Sequence, residues 1–409
     1  MIGMPRIVAG LDVGSTKTCA VIVDPCNGPG EGCRPEVLGV GTAVTEGVRN
    51  RTVANIEAVT ESIRAALRDA EQMAGVEVSG VFAGVGGDHI TIDRSIGVTA
   101  ISGREIMPRD IENVHEVAQA VALPPDREIL HVIPQDYMVD GRSGIQDPTG
   151  MQAIRLESEV CIISAGAVVC QNLRKAIDRA GYQVEELVLT PLASSLAVLS
   201  ENSRIAGTAL IEIGGASTEV LVFKDERLRL ARTIPWGATT VSNDIVKGLG
   251  VPLEEAEELK AQYGSAQTRR VDPTEKLEIS GPTPGGRRQV SRELLAHIIE
   301  QRLDEILGLV FDELDARDLL DDLPVGVVLT GGGVQLDGVV ELAQEVFNMP
   351  VAKGLPGSGL DGIVEAIRKP ECASAVGLAL YGTNRRLDAG AGPVLRALGR
   401  VGGWIREFF

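Results

Sequence analysis

The sequence predicts a mixed α/β protein of two lobes, with a smaller α+β subdomain inserted in the first lobe and an amphipathic helix at the C-terminus. Three observations carry this. At 409 residues the chain is longer than one hydrophobic core usually serves. The stretch GLDVGSTKTCAVIV at residues 10–23 is written a second time, some two hundred residues later, as ALIEIGGASTEVLVF at 209–223. Between the copies, over residues 86–165, the regular strand-and-helix texture gives way to short mixed elements and a Gly/Pro-rich link.

The elements follow in order. Residues 6–23 read as two strands around a turn, and residues 37–44 as a third. Residues 55–74 have helical spacing, with Ile56, Val59, Ile63, Ala66, Leu67 and Ala70 on one side and Gly75 as the stop. A strand at 78–85 completes a β-β-β-α-β opening. In the insertion, 110–121 reads as a short helix, and ILHVIPQDYMV and RLESEVCIISA as strands. A helix at 172–180 and the strand-to-helix run VEELVLTPLASSLAVL resume the main pattern before the second hairpin. LRLARTIPWGATTVSNDIVKGLG reads as strand, glycine turn and helix, and PLEEAEELKAQYG as an acidic helix. Residues 269–289 read as loop, 293–314 as a long amphipathic helix, VGVVLTGGGVQLDG as a strand turning through glycines into a helix, and ASAVGLALYG as a small-residue helix. DAGAG reads as a flexible joint before the last segment, PVLRALGRVGGWIREFF.

Composition excludes several classes. Hydrophobic residues make up 44% and charged residues 23%, as in soluble globular proteins. A net charge of -18 argues against nucleic-acid binding, which needs a basic footprint. The six cysteines form no CxxC pair and the four histidines are scattered, so zinc spacings are absent. Cys26 and Cys33 bracket the loop CNGPGEGC, which reads as two loop thiols before it reads as a disulfide or metal site. No signal peptide and no 18-residue apolar run is visible, which predicts a reduced, cytosolic protein.

The duplicated hairpin has a chemical reading. A glycine-containing turn lets backbone amides converge on an anion, and hydroxyls and Lys17 add donors. An acid ending the preceding strand is placed to hold the water shell of magnesium. Asp12 and Glu212 stand at equivalent places, so two facing hairpins would clamp a polyphosphate and its metal. One such turn alone is usually only a turn. A third element strengthens the nucleotide reading: Thr330, Gly331, Gly332 and Gly333 follow an apolar strand, where backbone can approach a ring or a phosphate. The Walker pattern GxxxxGK[ST] is absent.

In this order DVGS, IGG and LTGGG resemble the actin-like ATPase superfamily. Within it, ILHVIPQDYMVDG with DPTGM, TPLASSLAVL, VVLTGGGVQLDG, ASAVGLALYG and the amphipathic C-terminus resemble the FtsA family of bacterial cell-division proteins. The resemblance covers nearly the whole chain. It implies an actin-like fold of two ribonuclease-H-like lobes with ATP and magnesium between them. The implied division is 1–85, 166–195 and 360–388 for the first lobe, 86–165 for the inserted subdomain, and 196–359 for the second lobe, whose outer subdomain spans about 225–300. Residues 389–409 would be a linker and a membrane-targeting helix. The resemblance places Asp12 and Glu212 at magnesium through water, and Gly14, Ser15, Thr16 and Lys17 at the terminal phosphates. Gly214, Gly215, Ala216 and Ser217 would form the second phosphate loop, with Gly237 beside it. Glu257 and Lys260 would lie near ribose and adenine, although their spacing alone reads as a solvated i,i+3 pair. Gly331, Gly332 and Gly333 would flank the adenosine.

Three departures bear on chemistry. The second hairpin carries Glu212 where the superfamily usually has aspartate, and Ala216 where it often has glycine. Hydrolysing relatives often carry an acid just before the proline of TPLASS, and here that residue is Thr190. A hydroxyl is a poor base at neutral pH, which predicts tight ATP binding with at most slow hydrolysis.

In the last segment Val394, Leu395, Leu398, Val401, Ile405 and Phe408 follow helical spacing, bordered by Trp404 and Phe409. Arg396, Arg400 and Arg406 lie largely off that face. Residues 385–409 hold five arginines against two acids, net +3 on an acidic protein. Gly402 and Gly403 weaken a helix by about 1 kcal/mol each, so the segment suits a helix that orders on anionic lipid. A helix docked on the protein's own core is the alternative.

The resemblance further implies binding to the C-terminal tail of FtsZ through the outer subdomain, where Arg287, Arg288, Arg292 and Arg302 could meet an acidic peptide. A solvated surface is the plainer role for any one of them. It also implies filaments of the protein with itself, contact with membrane-embedded division proteins through the insertion, and peripheral attachment to the cytoplasmic face of the inner (plasma) membrane at the division site. Rival readings are a small-molecule (sugar or acid) kinase, against which Thr190 and the tail speak, and a pilus-assembly-type adaptor. A chaperone would need a long further domain after the clamp.

Overall fold

The computed structural model describes residues 7–25, 34–49, 51–121, 123–281, 283 and 285–390. Two sheets of the same plan face each other. In the first, Val8–Val13, Lys17–Asp24 and Glu36–Val44 run antiparallel, and Gly80–Val85 and Gln183–Leu189 add in parallel beside Val8–Val13. In the second, Thr208–Ile213, Thr218–Lys224 and Arg227–Ile234 run antiparallel, and Val327–Thr330 and Val351–Lys353 add in parallel beside Thr208–Ile213. The inserted sheet holds Thr91–Glu105, Gln152–Gly166, Arg127–Val139 and Arg142–Ile145, all antiparallel, with helix Pro108–Gln119 against it.

Local chemistry explains the first lobe. Helix Ile56–Ala74 starts at Asn55, whose Oδ1 accepts from the Ala58 N–H, and stops at Gly75 with φ of 68°. Its buried stripe includes Val59, Ile63, Ala66, Leu67 and Ala70. The strand beneath carries Gly39 and Gly41, where a Cβ would come within 2.1 and 2.0 Å of the Ala70 and Ala66 carbonyl oxygens. Only glycine lets helix and strand approach so closely. Each lobe fills its core with aliphatic side chains, as the scarcity of aromatics predicts.

Helix Ala373–Gly390 packs between the lobes' machinery. It lies on Val8–Val13 and crosses helix Thr190–Val198. Near its end, the Tyr381 hydroxyl donates to Glu186 (2.6 Å), Arg385 pairs with Glu186 (3.2 Å), and Arg386 bonds the Ile7 carbonyl (2.6 Å) and Glu185.

Four expectations change. Thr91–Glu105 is one long strand that alternation did not reveal, because most of its side chains are exposed. The stretch read as loop over 269–289 contains Lys276–Ser280, paired with Arg287–Ser291 and burying Leu277, Ile279 and Val290. LTGGG enters a 3-10 turn, Gly332–Gln335, before helix Val339–Phe347 begins. The expected joint DAGAG, and with it the linker placed from 389, begins inside helix Ala373–Gly390, since Asp388 and Ala389 continue the turn. Cys26, Cys33 and the tail from 391 lie outside the described residues.

Candidate functional site

The two hairpins close with the same turn. The Gly14 N–H donates to the Lys17 carbonyl at 3.0 Å, and the Gly214 N–H to the Ser217 carbonyl at 2.9 Å. Asp12 and Glu212 are the penultimate residues of their strands, opposite Cys19 and Glu219. The turns face each other across the cleft: a Cβ on Gly215 would stand 2.9 Å from Thr16 Cγ2. Gly237 precedes helix Ala238–Leu249, whose first N–H groups, from Ala238 and Thr239, donate to the carbonyls of Gly214 and Gly215 at 2.9 and 2.8 Å. The second turn is thereby fixed to a helix start.

Three acids and one buried arginine lie at the base of the hairpins. Glu212 is buried, and its two carboxylate oxygens accept from Ser194 (2.7 Å) and Ser374 (2.8 Å). Asp12 is half-buried, and desolvation pushes its carboxyl up to about 6 while Arg51 pulls the other way. Glu219 is buried and pushed up to about 7, again by burial and against Arg51. Arg51 comes from the other lobe. Its Nε lies 3.4 Å from Glu219 Oε1, and the two side chains are 9% and 3% exposed. Neither Arg51 nor Glu219 was singled out from the sequence. The strand register held a signal for Glu219, which pairs with Glu212 on the same face.

Several hydroxyls around this cleft are buried without a hydrogen-bond partner: Ser15 Oγ in the first turn, Ser217 Oγ in the second, and Thr190 Oγ1. Such groups are costly to bury unpaired, so an orphan hydroxyl in each turn fits a polar ligand held between them. Thr190 Oγ1 and Asp12 Oδ1 lie 2.9 and 3.3 Å from the point where a Gly84 Cβ would sit, so both border the same glycine.

The remaining predicted residues are placed as follows. Lys17 Nζ is 3.6 Å from Glu371. Lys260 pairs with Glu257 (2.7 Å) but is not a solvated lysine: it is 12% exposed and donates to the Ala238 carbonyl (3.2 Å) and Ser242 Oγ (2.5 Å), bracing the helix start beside the second turn. Gly331 has φ of 88°, and a Cβ there would meet the Ile213 carbonyl at 2.5 Å. Gly333 presses on the Ile213 side chain, whereas Gly332 faces open space save Glu371. Ala216 and Ser217 line a cavity of about 60 Å³ with Arg51, Gly87 and Thr233. Arg288 donates to the Leu249 carbonyl, Arg292 pairs with Glu275 (2.8 Å), and Arg302 pairs with Asp244 and lies 5.2 Å over Trp236. Of the basic residues expected to meet a partner peptide, only the exposed Arg287 is drawn into no such bond among the described residues. The tail residues from Val394 to Phe409 lie outside the described residues. A larger cavity of about 830 Å³, lined by residues such as Arg94, Pro191 and Arg232, includes none of the hairpin residues.

Duplicated acidic hairpins facing each other between two sheets of this plan define an actin-like protein, a class built to bind a nucleotide in the cleft. Solved structures agree on the fold: Spiroplasma citri MreB5 bound to ADP has a TM-score of 0.56 at 12% identity, covering 95% of this chain and 99% of that one. The PilM–PilN type IV pilus biogenesis complex has a TM-score of 0.66 at 17% identity, covering 92% and 98%. The family model for cell division protein FtsA matches residues 209–377, and that for the SHS2 domain inserted in FtsA matches 87–164. The chain is 38% identical over 385 residues to cell division protein FtsA of Pseudomonas aeruginosa, covering 94% of this chain and 91% of the relative. To its counterpart in Escherichia coli (strain K12) it is 33% identical over 411 residues, covering 98% and 96%. The chain belongs to the FtsA family of cell-division proteins.

Proposed function

We propose that this protein binds ATP with magnesium, polymerises on the cytoplasmic face of the inner membrane, tethers FtsZ filaments there and helps recruit later division proteins. The observation that carries the nucleotide part is the pair of matching turns, each with a buried hydroxyl lacking a partner. Gly14 to Lys17 and Gly214 to Ser217 would hold the phosphates, and Asp12 and Glu212 the ion through its waters. Among the described residues no three His, Cys, Asp or Glu side chains are grouped to bind a metal directly, so phosphate and water would complete its shell. Bound magnesium would neutralise the terminal phosphates. Gly331 to Gly333, Glu257 and Lys260 would border the adenosine. Thr190 supplies no carboxylate to activate water, so hydrolysis is at most slow and ATP acts chiefly as a switching ligand.

The domain division given above is part of this reading, with 86–165, over which the SHS2 family model matches 87–164, as the recruiting subdomain. The exposed Arg287 would face the acidic FtsZ tail as it stands, and Arg288 and Arg302 only if their present partners give way. No helix among the described residues is long and apolar enough to cross a membrane. Attachment would rest on the amphipathic tail, weak singly and strong in a filament.

The test is pelleting of the full chain with anionic liposomes, with and without ATP and magnesium, followed by electron microscopy. Filaments on vesicles that depend on ATP are expected. Removing the last 17 residues should abolish pelleting and leave the body folded; a truncated chain that unfolds would mean the tail docks on the core instead. Protein that ignores lipid and polymerises in neither condition would favour a small-molecule kinase.

A further inference from the structure

Arg51 is the one prominent feature of the cleft that the duplicated pattern leaves unexplained. It sits in the tight turn between Val48–Arg49 and Thr52–Val53, with φ of 57°, a left-handed conformation that side chains other than glycine rarely adopt. From there it crosses to the other lobe. Nη1 lies 3.8 Å from the point where a Cβ on Gly214 would stand, against the second turn. Nη2 lies 3.5 Å from Glu219 Oε2. Gly86 makes the passage possible, since a Cβ there would be 2.6 Å from both Arg51 Nη2 and Glu219 Oε1. The charges it feels are those of Glu219, Asp12 and Glu212, at the base of the hairpins. On the nucleotide reading above, these acids stand at the phosphate end of the cleft. Arg51 also shares its 60 Å³ cavity with Ser217, whose buried hydroxyl has no partner.

We propose that Arg51 is a phosphate-binding residue of this clamp, held across the cleft by Glu219, and that it gives the site its preference for a nucleoside triphosphate over a diphosphate. The proposal rests on the nucleotide reading above. A guanidinium presents a planar fork of donors suited to phosphate oxygens, and a buried one already aligned loses little freedom on engaging them. A diphosphate, one phosphoryl group shorter, leaves Arg51 on Glu219 alone. The left-handed turn at residue 51 is explained by the same placement, because it aims the side chain into the cleft.

The experiment is equilibrium titration of the full chain with fluorescent ATP and ADP analogues in magnesium, for wild type, Arg51→Gln, Arg51→Lys and Arg51→Gln/Glu219→Gln. The double variant removes both charges and so guards against a fold broken by a lone buried carboxylate. Arg51→Gln and the double variant should lose ATP affinity by about 10- to 100-fold, the range for a charge-assisted hydrogen bond, with ADP affinity nearly unchanged. Arg51→Lys should recover part of the loss. Equal loss for ATP and ADP would make Arg51 a structural counter-ion and overturn the proposal. No loss with intact wild-type binding would overturn it too, while sparing the nucleotide reading. A wild type that binds neither nucleotide would overturn both.

Discussion

Replacing Asp12 by asparagine should stabilise the nucleotide-free protein and disable its response to ATP. The folded state holds the Asp12 carboxyl near 6, against an ordinary 3.8, chiefly because burial disfavours its charge. The native state therefore binds more protons than the unfolded chain between about pH 4 and 6. Stability falls as pH rises through that window and stays low above it. A rise of about two pH units corresponds to about 3 kcal/mol at neutral pH. The side chain keeps some solvent and has Arg51 nearby, so about 1–2 kcal/mol is the sounder figure. For a chain of this size that is about 1–3 °C in melting temperature. The substituted amide has no charge to desolvate, so thermal unfolding at pH 7.5 should show the variant melting higher by this amount. The advantage should shrink by about half near pH 5 and vanish near pH 4. Saturating ATP and magnesium should then reverse the order, because ligand binding at about 100 times Kd adds about 2.7 kcal/mol to the wild type alone. A variant that melts lower than wild type at pH 7.5 without nucleotide would refute the reasoning, since it would mean that the carboxylate is satisfied by its surroundings.

Other outcomes follow from the cleft. Ser194→Ala or Ser374→Ala removes one of the donors on the buried Glu212 carboxylate and should lower stability by about 1–3 kcal/mol in denaturant titration. Both should also weaken magnesium-dependent ATP binding. Gly377→Ala places a Cβ 1.8 Å from the Ala193 carbonyl oxygen, where the helices cross. The crossing must open, at about 1–3 kcal/mol, and a lowered ATP affinity should accompany the lowered melting point because Ser374 lies one turn earlier on the same helix.

The sequence made the hairpins legible because each writes its whole instruction locally: an apolar run, an acid, a glycine turn, an apolar run. The helix at 56–74 was legible for the same reason, carrying its cap, stripe and stop within one segment. What escaped depends on contacts between distant residues. Arg51 stands in a polar turn, VRNRTV, that reads as solvated, and only a partner 168 residues away buries it. Lys260 reads as half of a surface pair until helix Ala238–Leu249 closes over it. Ser194 and Ser374 lay inside TPLASS and ECASAV, yet nothing local says that they meet on one carboxylate. Thr91–Glu105 hid because most of its side chains are exposed, Ile96 and Val98 among them, so no buried apolar alternation marks it.

Helix Ala373–Gly390 has a mechanical consequence. At 1.5 Å per residue its 18 residues make a rod of about 27 Å. Its first turn grips the carboxylate of the second hairpin through Ser374, and its far end gives onto the segment from 391. Arg385 and Arg386, four or five residues before that end, are bolted to Glu186, Glu185 and the Ile7 carbonyl. A tug on the tail is thus resisted as shear by this riveted plate of two arginines and a tyrosine, and the rod beyond is spared from unwinding. Any load that exceeds the rivets is delivered along the rod to the floor of the cleft.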